Sequence, residues 1–240
     1  MEYKYAKNDN YEDYASGRVL YHMGGEPTFP VRLALEIYQR CLQYSSKKAD
    51  ISLYDCCCGG AYMLTILGLL RNDTISKLYG SDIDLRSIKL AEDNLGLLTR
   101  SGIKKRRDEL EVLYRKYGKT SHLDALYSFD KIEKQLTKEI KACVFNRNAL
   151  EASELPFTLD VIITDVPYGN LAEWGEGSGG VNQMMDALSE ICGQDTIICV
   201  CMDKKQKIQT DRYQRLERQL VGKRKFEIYK KKVPGGGLLW

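Results

Sequence analysis

The sequence predicts an α/β fold, a mostly parallel sheet with helices on both faces. Three observations lead there. Runs such as 159–165 and 196–201 are rich in Ile and Val with little polar alternation, as strands covered on both faces are. Stretches with apolar residues at helical spacing alternate with those runs. Three of the runs end in an acid, at Asp55, Asp82 and Asp165. Ligands of parallel sheets sit at the C-terminal ends of the strands, so these acids are the first functional signal.

Each element has its own reason. Phe29-Pro30 opens a helix, with Val31, Leu33, Ala34, Ile37, Tyr38, Cys41 and Leu42 recurring on one stripe and Pro30 suited to the first turn. Ile51 to Asp55 is the first strand, and a helix follows from Ala61 to about Leu70. Lys77 to Asp82 is the second strand, with a helix from Arg86 to about Leu97 behind it. Two charged helical stretches, 104–117 and 121–141, stand where such a fold would return at once to its third strand. Cys143 to Phe145 is that strand. Leu159 to Asp165 and Thr196 to Cys201 follow, and Phe226 to Tyr229 reads as an edge strand. The whole chain, 1–240, is expected to form a single domain. It has an N-terminal arm and helix (1–48), a helical insertion (100–141) and a basic C-terminal segment (204–240).

Composition narrows the class. With 240 residues, 43% of them hydrophobic, the chain can bury a core that needs no disulfide or metal staple. No apolar stretch approaches the ~20 residues of a membrane span. The polar, Tyr-rich N-terminus is not a secretory signal. Three of the eight cysteines are consecutive, at Cys56, Cys57 and Cys58, and no Cys-x-x-Cys pair occurs. Cys143, Cys199 and Cys201 read as buried strand residues. The cysteines are expected to be reduced, in a cytoplasmic protein without a metal site.

Three motifs carry chemistry, each with a plainer alternative. Asp55-Cys-Cys-Cys-Gly59-Gly60-Ala61 turns a strand into a helix and lets a ligand approach the backbone; it also fits an ordinary strand–helix turn. Gly80-Ser-Asp82-Ile-Asp84 places a carboxylate where it can accept both hydroxyls of a ribose, although Asp84 equally suits a helix N-cap. Thr164-Asp165-Val166-Pro167-Tyr168-Gly169 joins an acid, a stiff turn and a ring that can stack on a flat base; alone it is a strand-end turn with a surface Tyr. The glycine loop lacks a Lys-Ser/Thr ending, which excludes a P-loop phosphate site. The glycine-rich 174–180 segment fits either a lid beside the site or a plain connection.

In this order the three motifs resemble the class I S-adenosylmethionine-dependent methyltransferases, and more narrowly the avilamycin-resistance ribosomal RNA guanine methyltransferases. Phe29–Ile37, Leu64–Gly68 and the inserted helices share in the likeness, which covers roughly 16–201. The resemblance implies a Rossmann-like, seven-stranded sheet with two helices inserted after the second strand. It implies S-adenosylmethionine as cofactor. Asp55, Cys57, Gly59 and Ala61 would lie around its methionine part, Asp82 with Asp84 at the ribose, and Asn148 at the adenine amine. Asp165, Pro167 and Tyr168 would form the catalytic target-base site, Asp165 also bordering the cofactor. Ala61 stands where a glycine is usual, and Val166 where a proline is.

The formal charge of +3 hides a polarity. Residues 100–119 carry +5 and 204–232 carry +9, which leaves −11 for the remainder. Lys104–Arg107, Lys223–Lys225 and Lys230–Lys232 are dense basic clusters with tyrosines nearby, a pattern suited to RNA. Solvated helix faces are the alternative, favoured slightly for the insertion and not for the C-terminal stretch. Arg18 and Arg32 are placed at the mouth of the site. The expectation is therefore a monomeric methyltransferase acting on a guanine of large-subunit ribosomal RNA. The rivals are an amino-methyltransferase of DNA or protein glutamine, and a non-catalytic RNA-binding or assembly factor.

Overall fold

Strand residues alternate between two apolar faces, and this alternation builds the molecule. The computed structural model describes residues 1–15, 17–24, 28–152, 154–166 and 179–233. Seven strands form one sheet: β1 (Ile51–Asp55), β2 (Ile75–Asp82), β3 (Lys141–Asn146), β4 (Val161–Asp165), β5 (Ile197–Asp203), β6 (Tyr213–Val221) and β7 (Arg224–Lys231). Their order is β3-β2-β1-β4-β5-β7-β6. The first five run parallel, while β7 is antiparallel to β5 and β6 to β7.

Ile51, Leu53, Val161, Ile163, Ile197, Cys199, Phe226 and Ile228 share one core with α1 (Val31–Tyr44), α2 (Tyr62–Leu70) and α3 (Leu85–Gly96). Tyr54, Ile162, Ile198, Val200 and Tyr229 point the other way, against α6 (Gly179–Ile191). Beyond α6 this second face is closed by the segment that precedes β4, where the Phe157 ring stacks on Tyr79 at 3.6 Å. The inserted helices α4 (Arg100–Tyr117) and α5 (Thr120–Gln135) form a hairpin that adds Ile103, Leu110, Ala125, Phe129 and Ile132 to the first core.

Several expectations are corrected. Phe226–Tyr229 is not an edge: β7 lies inside the sheet, and the unforeseen β6 covers it. Charged residues crowd β6, so its pattern reads as a polar tail, and a two-residue turn led by Gly222 at φ +60° makes the hairpin. Cys143 is exposed because β3 is the other edge. The second inserted helix stops at Gln135, six residues early, and the first starts at Arg100. Pro30 is the N-cap of α1 rather than a first-turn residue. All eight cysteines are free thiols.

The N-terminal arm is fastened rather than loose. The buried Glu36 carboxylate accepts the backbone N–H groups of Lys4, Tyr5 and Ala6. Arg40 joins Glu36 to Glu217 on β6 and donates to the carbonyl of Glu2. Arg32 is spent on Ala6 and Asn8, and Arg18 on Ser128, so both serve the arm instead of the mouth of the site. Among the described residues, no helix is long and apolar enough to cross a membrane.

Candidate active site

The chain reverses its direction of sheet growth between β1 and β4, and a crevice opens there beyond the strand ends. Asp55 and Asp165 end these two strands, and Asp82 ends β2 next door.

Asp82 is the best anchored of the three. One oxygen accepts the Gly59 N–H at 2.9 Å and the other the Asp84 N–H at 3.0 Å. It therefore fastens the glycine loop and keeps one lone pair per oxygen for a ligand. Asn146 secures the same turn by donating to the carbonyls of Asp82 and Ile83. Gly59 takes φ +50°, and Ala61 stands at φ +56° at the head of α2. A non-glycine residue in this conformation is strained by about 1 kcal/mol. A Cβ at Gly60 would come within 2.4 Å of the Leu90 side chain, which would have to move aside.

Asp55 is almost fully buried, with one oxygen accepting the Cys57 N–H. Burial pushes its carboxyl up to about 7; the Thr164 hydroxyl and the Cys57 N–H hold it down, and the Asp165 and Asp82 carboxylates add to the rise. Such a carboxyl is suited to a cation brought by a ligand.

Asp165 differs again. Its Oδ1 is buried without a hydrogen-bond partner among the described residues. Its Oδ2 faces Arg224 Nη1 at 3.5 Å. Burial pushes this carboxyl up to about 6, and Arg224 pulls it down. The donor set thus fits S-adenosylmethionine: an acid with free lone pairs at the β2 end, a buried acid at the β1 end and helix α2 opening at the glycine loop.

Residues 1–224 match the family model of the rRNA methyltransferase AviRa. The chain belongs to that family. The 23S rRNA (guanine(2535)-N(1))-methyltransferase of Streptomyces viridochromogenes is 35% identical over 223 residues, 88% of each chain. The solved rRNA methyltransferase aviRa from the same organism superposes with a TM-score of 0.84 at 27% identity, over 96% of both chains. The ribosomal protein L11 methylase of Lactobacillus delbrueckii subsp. bulgaricus has a TM-score of 0.50 at 11% identity, covering 87% of this chain and 91% of that one, and shares the fold alone. The AviRa match includes the N-terminal arm and β6, beyond the 16–201 span read from the motifs.

Within this AviRa-family crevice the other site residues are distributed unevenly. The Asp84 side chain caps α3 by accepting the Arg86 N–H at 3.0 Å and pairs with the Arg86 guanidinium, which holds its carboxyl low. The Asn148 amide donates to Glu151 and accepts from the Leu150 N–H. Cys57 and Gly59 lie in the loop between β1 and α2. Pro167, Tyr168 and most of 174–180 lie outside the described residues.

Two contributors escaped the sequence reading. Asn146 was passed over for Asn148, although a polar residue closing a parallel strand was a usable signal. Arg224 was absorbed into a basic cluster, and no local pattern marks it. That cluster is also less available than its charge suggests. Lys225 is buried against Glu227, Lys230 pairs with Asp195, and Lys231 donates to the Ser189 and Cys192 carbonyls. In the insertion, Arg106 donates to the Val19 carbonyl, and Arg107 pairs with Asp130 and Glu133.

Proposed function

We propose that the chain methylates N1 of a guanine in large-subunit ribosomal RNA, with S-adenosylmethionine as methyl donor and the whole chain acting as one monomeric, cytoplasmic domain. One observation carries the reading: the buried Oδ1 of Asp165 beside the switch point has no hydrogen-bond partner among the described residues. An acceptor there suits an N–H that arrives with a ligand, and the named activity of the Streptomyces viridochromogenes relative points to guanine N1 as that N–H.

When bound, S-adenosylmethionine supplies an electrophilic methyl group whose bond to sulfur breaks, the pair staying on sulfur, as the N1 pair forms the new N–C bond. The chain's residues do the rest. The outer lone pairs of Asp82 hold the ribose hydroxyls, with Asp84 fixing the turn beside them. Asp55 faces the methionine ammonium, and Cys57, Gly59 and Ala61 shape the loop around it. Asn148 meets the adenine amine through its carbonyl oxygen. Asp165 accepts the N1 proton and later loses it to water. Pro167 and Tyr168 keep the target-base role that the family resemblance implies. A base paired in a helix cannot enter such a crevice, so the target is unpaired or flipped out. Exposed cations of α4 and the β6–β7 hairpin meet the phosphates.

Methyl-labelled S-adenosylmethionine and unmodified 23S-type ribosomal RNA test the reading. Label enters RNA with the parent protein and not with Asp165→Asn. No transfer by the parent, or undiminished transfer by the variant, overturns it.

A further inference from the structure

We infer that Arg224 and Asp165 together read the guanine edge, Arg224 donating to O6 while Asp165 Oδ1 accepts from N1–H, and that Arg224 stabilises the negative charge that forms on O6. This rests on the guanine-N1 reading above.

The geometry is specific. Arg224 opens β7, opposite Asp203 on β5, and reaches past the end of β5 to lie 3.5 Å from Asp165 Oδ2. Its guanidinium carbon also lies 5.7 Å from the centre of the Phe29 ring. The Asp165 carboxylate and the face of the Phe29 ring both border the planar fork. A cation donor and an acceptor thus stand side by side, with Asp165 Oδ1 unfilled among the described residues.

Guanine presents an acceptor at O6 next to a donor at N1. Adenine and cytosine present the reverse order, an amine beside a ring nitrogen lone pair. They would set an amine against the guanidinium and a lone pair against the carboxylate, which a site built on buried polar groups rejects strongly. Uracil shares guanine's order, so ring size and the 2-amino group must separate those two.

The same pair serves the reaction. When the N1 proton passes to Asp165, the N–H electron pair stays on the base and is shared between N1 and O6. A guanidinium already at O6 stabilises that charge without reorganising. Before the transfer, Arg224 favours the ionised form of Asp165, against burial. Among the described residues, the other titratable groups around Asp165 are Asp55 on β1 and Cys201 on β5, and Asp203 stands opposite Arg224.

The test compares parent, Arg224→Gln and Arg224→Lys on unmodified 23S-type ribosomal RNA across pH. Methylation by the parent reports on the guanine-N1 reading itself; the ratio of variant to parent reports on Arg224. Arg224→Gln should lower kcat on the order of 100-fold and move the acidic limb of the kcat profile to higher pH. The KM for RNA and the calorimetric affinity for S-adenosylmethionine should stay near parental. Arg224→Lys, keeping the charge and losing the fork, should leave the limb near the parent's and recover part of kcat. If Arg224→Gln no longer binds S-adenosylmethionine, Arg224→Lys decides the matter by the same two readouts. Parental kcat with an unmoved limb in Arg224→Gln, or a loss confined to KM, overturns the inference. So does an Arg224→Lys variant as slow and as shifted as Arg224→Gln.

Discussion

The two sides of the crevice are built on opposite principles. On the β1–β2 side, Asp82 is half-exposed and both its oxygens hold backbone N–H groups. On the β4–β7 side, Asp165 has one oxygen with no hydrogen-bond partner among the described residues, a carboxyl raised by burial and a single arginine beside it. The first side is complete before any ligand arrives. The second is left unsatisfied, and that deficit is what a reacting base can relieve. A site that binds a nucleoside needs preformed geometry, whereas a site that removes a proton needs an acid poised near neutrality.

Breaking the second side should cost most. Asp165→Asn keeps the shape and removes the proton acceptor, so kcat should fall on the order of 1,000-fold while calorimetry finds cofactor affinity almost unchanged. A comparable loss of affinity would move Asp165 to the cofactor side. Breaking the first side should do the converse. Asp82→Ala frees the Gly59 loop and the ribose hydroxyls together, and the Kd for S-adenosylmethionine should rise roughly 10–100-fold. Near-parental turnover at saturating cofactor would sharpen the division, and an unchanged Kd would refute it.

Asp55 sits between the two sides and has a signature of its own. Its folded-state carboxyl, at about 7, lies above the unfolded value, so the folded state holds the proton more tightly. That contribution is complete below pH 4 and is lost as pH rises through 7, and Asp165 adds the same trend up to about 6. Asp55→Asn should remove much of the slope and stabilise the ligand-free protein at pH 8 by on the order of 2 kcal/mol, read by urea unfolding. A variant less stable than the parent at pH 8 would show that the Asp55 carboxylate is already compensated. The smallest effect belongs to the strained loop. Ala61→Gly should raise stability by about 0.5–1 kcal/mol, and a loss would mean that the Ala61 methyl packs usefully.

The contrast between the sides also explains what the sequence revealed. The β1, β4 and β5 strands were legible because buried parallel strands are largely apolar runs, and the strand-end acids Asp55, Asp82 and Asp165 were legible too. The Asp82 side follows from the adjacent Asp84 turn and from the parallel pairing of β1 with β2, which brings Gly59, 23 residues back, to the same carboxylate. Arg224 was not legible, because it reaches Asp165 only through an antiparallel hairpin that the charge pattern disguised. β6 places Arg215, Glu217, Arg218 and Gln219 on a covering edge strand, and such a strand has too few apolar residues to declare itself. The arm was unreadable for a related reason. Arg32 and Arg18 look like residues of the site's mouth until Ala6, Asn8 and Ser128 are seen beside them.

The central claim is that the β4–β7 side is shaped for guanine N1. Its most direct test is nucleoside mass spectrometry on unmodified 23S-type ribosomal RNA after incubation with the protein and methyl-labelled S-adenosylmethionine. The account predicts label in N1-methylguanosine alone. Label in the 2-amino group of guanosine, or in any adenosine or cytidine, would contradict it.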